Sequence, residues 1–156
     1  MKITVIAAIG LGSNLGEPQD NVERSIGRLA EIGRVAARSR LDWTEPWGVP
    51  NQPVFVNAVV LLETSLDARE LLRELKRLEG ELGRGDTFRW GPRAIDLDIL
   101  TYGDARIDEP DLVIPHARLF QRAFALGPLA EVDPRFREAY ERLPAEERAG
   151  VRAASG

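Results

Sequence analysis

The sequence predicts an α+β fold: a largely antiparallel sheet with helices packed on it. Two observations lead there. Runs of β-branched and apolar residues alternate with segments that repeat their apolar positions at the helical period. Their order along the chain is strand, helix, strand, strand, helix, strand, which is the split βαβ arrangement of a ferredoxin-like sandwich. Helices are expected on one face of the sheet, leaving the other for loops and ligand.

Residues 3–9 are continuously apolar and read as a central strand. The turn-rich Leu11-Gly-Ser-Asn-Leu-Gly16 follows, and Pro18 opens a helix to about residue 32 with Val22, Ile26 and Leu29 on one face and Gly33 as its cap. Residues 35–43 read as the second strand. Residues 44–53 form a loop stiffened by Pro46, Pro50 and Pro53, and residues 54–62 the third strand. Ser65 or Asp67 caps a second helix whose stripe is Leu71, Leu75, Leu78 and Leu82. Residues 83–92 form an arginine-rich loop, residues 95–102 the fourth strand, and Gly103-Asp104 a turn. Past Pro115, helices are expected near residues 119–130 and 135–143. The whole chain, 1–156, reads as one domain, with residues 144–156 a fraying tail.

Composition narrows the function. A net charge of −4 gives no general attraction to nucleic acid or anionic membrane, so an anionic ligand needs a local cationic cluster. Lys2 and Lys76 are the only lysines among 21 basic residues, and the other 19 are arginines, which grip phosphate with a planar fork. With no cysteine, disulfides and thiolate metal sites are excluded, and a reducing, cytoplasmic setting fits. The single histidine, His116, excludes a multi-histidine metal site. The apolar start resembles a signal peptide only loosely, and no stretch is long enough to span a bilayer.

The most informative stretch is Arg89-Trp-Gly-Pro-Arg-Ala-Ile-Asp-Leu-Asp-Ile99. Within a strand, Asp96 and Asp98 share one face while Ile95, Leu97 and Ile99 share the other. Two same-face carboxylates about 6.5–7 Å apart repel each other unless a cation sits between them. Mg²⁺ bound to phosphates is one natural partner. Arg84, Arg89 and Arg93 crowd the neighbouring loop and suit metal-bound phosphates, although arginines that simply neutralise exposed acids fit the same pattern. No Walker A sequence is present, and Gly10, Gly12 and Gly16 miss the dinucleotide-binding spacing.

Taken together, Leu11 to Gly16, Thr44-Glu-Pro-Trp-Gly48, Asn51-Gln-Pro-Val-Phe-Val-Asn57, Arg89 to Ile99, Val113-Ile-Pro-His116 and Arg122-Ala-Phe124 resemble the 6-hydroxymethyl-7,8-dihydropterin pyrophosphokinases of folate synthesis. The resemblance implies a ferredoxin-like enzyme using two Mg²⁺ ions and ATP, in which the pterin hydroxymethyl oxygen attacks the β-phosphorus and AMP leaves. It implies that Asp96 and Asp98 hold the metals and that Arg84 and Arg93 contact the polyphosphate. His116, Arg122, Lys76 and Glu79 would lie near the nucleotide, with Leu72, Ile99 and Leu112 beside the adenosine. Phe55 and Phe124 would sandwich the pterin and Asn57 would bond its edge. Gly12, Thr44, Trp47 and Trp90 would complete that pocket. The chain departs from the family's pattern at Asp86, at Ala117 and in a loop one residue shorter, which bears on phosphate contacts.

Two other readings use the same residues. A different Mg-dependent phosphotransferase or phosphohydrolase needs the acids and arginines but not Asn57 between aromatic walls. A non-catalytic ferredoxin-like module that binds RNA needs a basic face and aromatic central strands, which this acidic chain lacks. A monomer with small-molecule partners, and neither nucleic acid nor membrane, is expected.

Overall fold

The computed structural model describes residues 3–44, 55–83 and 95–153. Strand β1 (Val5–Ser13) lies between β4 (Phe55–Thr64) and β5 (Asp96–Tyr102) and is antiparallel to both. Along the far edge of β4, β2 (Arg34–Arg38) and β3 (Asp42–Thr44) pair with it end to end, also antiparallel. If β2 and β3 are taken as one interrupted strand, the sheet order is fourth, first, third, second, as in a ferredoxin-like sandwich.

The interruption has a local cause. The Ser39 N–H donates to Val59 O at 2.9 Å, and the Val59 N–H donates to the Ser39 hydroxyl at 2.9 Å. A side-chain oxygen thus replaces a backbone carbonyl in the ladder, and the continuous strand expected over 35–43 divides there.

Helix α1 (Pro18–Leu29) starts on Pro18 and buries Val22, Ile26 and Leu29. It ends three residues before the expected position. Gly33, expected as its cap, instead meets β4: a Cβ there would lie 2.6 Å from Glu63 O, so only glycine lets the chain enter β2 this close. Helix α2 (Ala68–Leu82) opens on a capping box. Asp67 accepts from the Glu70 N–H at 2.8 Å, and Glu70 accepts from the Asp67 N–H at 3.0 Å. Its Leu71, Leu75 and Leu78 are fully buried against Ile9, Leu11, Leu62 and Leu97 in one core cluster. Burying each leucine contributes about 1.5–3 kcal/mol.

The opposite face is not left wholly to loops and ligand, as the sequence had implied. A 3₁₀ turn at Leu119–Gln121 leads into α3 (Ala123–Val132), which sets Leu119, Leu126 and Leu129 on Ala8, Val59 and Leu100 in a second cluster. The expected single helix over 119–130 is thereby split at Arg122. A hairpin of β6 (Ile107–Glu109) and β7 (Leu112–Ile114) precedes this segment, and Ile114–Pro115 is a cis peptide. After α4 (Arg137–Glu141), the region expected to fray forms α5 (Ala145–Ala149) and β8 (Val151–Ala153), which pairs with β3. Among the described residues no helix is long and apolar enough to cross a membrane.

Leu75 anchors α2 at its middle, so Leu75→Ala is expected to lower unfolding free energy by about 2–5 kcal/mol. Urea denaturation with an unchanged slope on denaturant would give that value directly.

Candidate active site

A cleft of about 560 Å³ opens on the part of the sheet that α3 leaves bare. Its floor follows from strand alternation. Ile9 and Leu11 of β1 point to the α1–α2 core, so Gly10 and Gly12 face the cleft. In register, Gly10 is opposite Asp98, and Gly12 is opposite both Asp96 and Asn57. The acid pair and the amide therefore meet over two residues without side chains. A Cβ on Gly12 would lie 2.9 Å from Asn57 Oδ1, so the glycine keeps that oxygen's place clear.

Asn57 is 7% exposed and its Nδ2 donates to Thr44 Oγ1 at 2.6 Å. That bond fixes the amide plane, and the carbonyl end lies over Gly12. Phe55 borders the same end of the cleft. Asp96 is half-buried and Asp98 exposed, while Ile95, Leu97 and Ile99 are buried in the core, the alternation expected of this strand. Two carboxylates on one open face suit a hard divalent cation. Among the described residues no group of three or more acids or histidines could hold a metal by itself.

The facing wall is built by the chain after β7. The His116 N–H donates to Leu100 O at 2.9 Å, which ties this segment to β5 beside Asp98. The Arg118 N–H makes a long, 3.4 Å bond to His116 Nδ1. The Arg122 guanidinium lies 5.5 Å from the centre of the Phe124 ring, a cation–π contact between a cleft cation and a cleft aromatic.

Of the residues singled out from sequence, Gly12, Thr44, Phe55, Asn57, Asp96, Asp98, His116, Arg122 and Phe124 border this cleft. Leu72, Lys76, Glu79, Ile99 and Leu112 do not. Ile99 and Leu112 are buried in the α1–α2 core, and Leu72 packs against it. Glu79 accepts from the Leu97 N–H at 2.8 Å and pairs with Lys76 at 3.1 Å. Trp47, Arg84, Arg89, Trp90 and Arg93 lie outside the described residues. Arg118 and Gln121 also line the cleft and were not anticipated. Their only signal in the sequence is their position between His116 and Arg122.

Fold and cleft together define the class first: an α+β, ferredoxin-like domain with a cleft set against one face of its sheet. The profile of the 7,8-dihydro-6-hydroxymethylpterin-pyrophosphokinase (HPPK) family matches residues 8–134, and the chain belongs to that family. A 2-amino-4-hydroxy-6-hydroxymethyldihydropteridine pyrophosphokinase of Pseudomonas aeruginosa is 43% identical over 132 residues, 83% of this chain and 81% of that protein. Its namesake in Aquifex aeolicus is 39% identical over 139 residues, 89% of this chain and 87% of the other. A crystal structure of Plasmodium falciparum HPPK-DHPS superposes with a TM-score of 0.74 at 17% identity. That likeness concerns the fold; it covers 91% of this chain and 46% of the other. The protein is an enzyme of folate biosynthesis that transfers pyrophosphate from ATP to the hydroxymethyl group of the reduced pterin.

Behind Asn57, its register partner Asp42 is 2% exposed and bonds Arg40 Nε at 2.7 Å. Burial raises the Asp42 carboxyl above its ordinary range, against the smaller opposing effect of Arg40. A raised folded pKa means that the folded protein holds this proton more tightly than the unfolded chain. The resulting stabilisation is complete below the unfolded pKa and is lost as pH rises through the folded one. Asp42→Asn removes the titration, so the variant is expected to gain stability relative to the parent as pH rises from about 4 to 7. Unfolding curves for both proteins across that range test this, and a pH-independent difference would contradict it.

Proposed function

We propose that this cleft is where Mg-ATP and 6-hydroxymethyl-7,8-dihydropterin react. The observation that carries the reading is the convergence of an acid pair, cationic side chains and an aromatic-flanked amide over the glycine floor of one cleft. Phe55 and Phe124 offer flat apolar walls to a flat heterocycle, and Asn57 offers it an oriented hydrogen-bonding edge. His116 and Arg122, with Arg118 added to the expected set, face the side suited to polyphosphate. Arg84 and Arg93 are proposed to join them from the neighbouring loop, with Trp47 and Trp90 closing the pterin end. Lys76 and Glu79, with Leu72, Ile99 and Leu112, are proposed as the nucleotide's more distant surroundings.

Asp96 and Asp98 would hold two Mg²⁺ ions, which when bound would neutralise charge on the polyphosphate. The residues of this chain have the remaining work of holding the hydroxymethyl oxygen in line with the β-phosphorus and excluding water. The oxygen–β-phosphorus bond forms, the β-phosphorus bond to the bridging α-phosphate oxygen breaks, the hydroxymethyl proton is lost to solvent and AMP leaves. The reading includes a single-domain, cytoplasmic monomer with no nucleic-acid or membrane partner, supported by the acidic net charge and the absence of cysteine.

Separation of nucleotides after incubation with Mg-ATP and the pterin tests the reaction. AMP and a pterin pyrophosphate are expected; ADP would indicate single phosphoryl transfer instead. Asp98→Ala should reduce turnover by on the order of a hundredfold or more. Because Asp98 is exposed, its thermal unfolding should barely change. Gly12→Ala should displace the Asn57 amide and weaken pterin binding about tenfold, the worth of roughly one hydrogen bond. Titration calorimetry with the pterin would measure it, and wild-type affinity would remove Asn57 from the pterin site.

A further inference from the structure

Among the described residues β5 is an edge strand that pairs with β1 on one side only. Its outer edge is nevertheless held at two points that flank Asp98. One is the His116 N–H on Leu100 O. The other is Glu79, whose Oε2 accepts from the Leu97 N–H at 2.8 Å, between the two aspartates. The Glu79 side chain is only 10% exposed, and its Oε1 pairs with Lys76 Nζ at 3.1 Å. A carboxylate this enclosed needs both bonds to offset its desolvation. Glu79 rides on α2, which is fixed to the core through Leu75 and Leu78, so the bond ties Leu97 to a rigid element. Glu79 bonds the backbone N–H of the residue between the aspartates, so its influence on them runs through the backbone.

We infer that Glu79 is a positioning residue that locks the strand segment between Asp96 and Asp98, and so fixes the presentation of both carboxylates to divalent metal. This rests on the reading that those two aspartates hold the metal. Plain protection of a sheet edge would predict a loss of stability without a specific loss of metal affinity.

The test uses the full chain with Mn²⁺ as probe and a nonhydrolysable ATP analogue, following free Mn²⁺ by electron paramagnetic resonance. Amide exchange at Leu97 is followed by NMR. Glu79→Ala should speed Leu97 exchange and weaken Mn²⁺ binding by about tenfold or more, the usual scale for losing an outer partner of a metal site. Glu79→Gln keeps an acceptor oxygen in place and should retain most of the affinity. Should the alanine variant not fold, Glu79→Gln and Glu79→Asp decide. Position predicts that Gln retains affinity and the shorter Asp loses it; the reverse order would show that charge matters and overturn the inference. Fast Leu97 exchange with wild-type Mn²⁺ affinity would also overturn it. If Asp98→Ala binds Mn²⁺ as tightly as the wild type, the metal reading itself fails, and that result is distinct from any Glu79 outcome.

Discussion

Side chains of a strand alternate between faces, and in a sheet covered on both sides that alternation decides what the molecule can do. β1 sends Ile9 and Leu11 to the core under α1 and α2, and turns Ala8, Gly10 and Gly12 the other way. β4 does the same with Val56, Val60 and Leu62 against Asn57 and Val59, and β5 with Leu97 and Ile99 against Asp96 and Asp98. A slip of one residue in β5 would place Asp96 and Asp98 in the core and Leu97 in the cleft. The apolar face therefore specifies the register, and the register in turn gathers Gly12, Asn57 and Asp96 at one spot.

This explains what could be read from sequence. The alternation of Ile95, Leu97 and Ile99 with Asp96 and Asp98, the leucine stripe of α2 and its acidic cap are local patterns, and local physics enforces them. The break at Ser39 was not legible, because the two-residue period carries on through it and only the hydroxyl's bond to Val59 reveals the change. The strands β6, β7 and β8 are three residues each, too short for a periodic signal, and gain their pairing from where the chain has already been placed. Gly33 reads equally well as a cap or as a close approach until Glu63 O is seen beside it. In the cleft, the acids, the amide and His116 stood out by motif, whereas Arg118 and Gln121 resemble any exposed polar residues until the fold turns them inward.

Charge is organised on the same principle. The chain is acidic overall, yet its arginines are not spread evenly in effect. Arg28 pairs with Glu31 and Glu81, Arg38 with Glu23, and Arg69 with Glu109 and Asp111. Such exposed pairs add about 0–1 kcal/mol each to stability. Arg118 and Arg122 border the cleft without an acid partner among the described residues, which sets two cations in the same cleft as the acid pair. An anion arriving alone meets carboxylates and cations together; one accompanied by divalent metal satisfies both.

The boundary between the covered and the open half of the cleft face lies at a single irregularity in β5. The register between β1 and β5 shifts there: Ala8 is opposite Thr101 and Ile9 opposite Ile99, so Leu100 is an extra residue. On one side of the bulge, Leu100 joins Ala8 and Val59 beneath α3; on the other, Asp98 and Asp96 line the cleft. The bulge also leaves the Leu100 carbonyl free of β1, and the His116 N–H takes it at 2.9 Å. The β6–β7 hairpin thus returns the chain to the edge of the acid pair. His116 is set there by a backbone bond, and Arg118 and Arg122 follow before α3 begins. One inserted residue in a strand accounts for where the apolar cover stops and where the cationic wall stands.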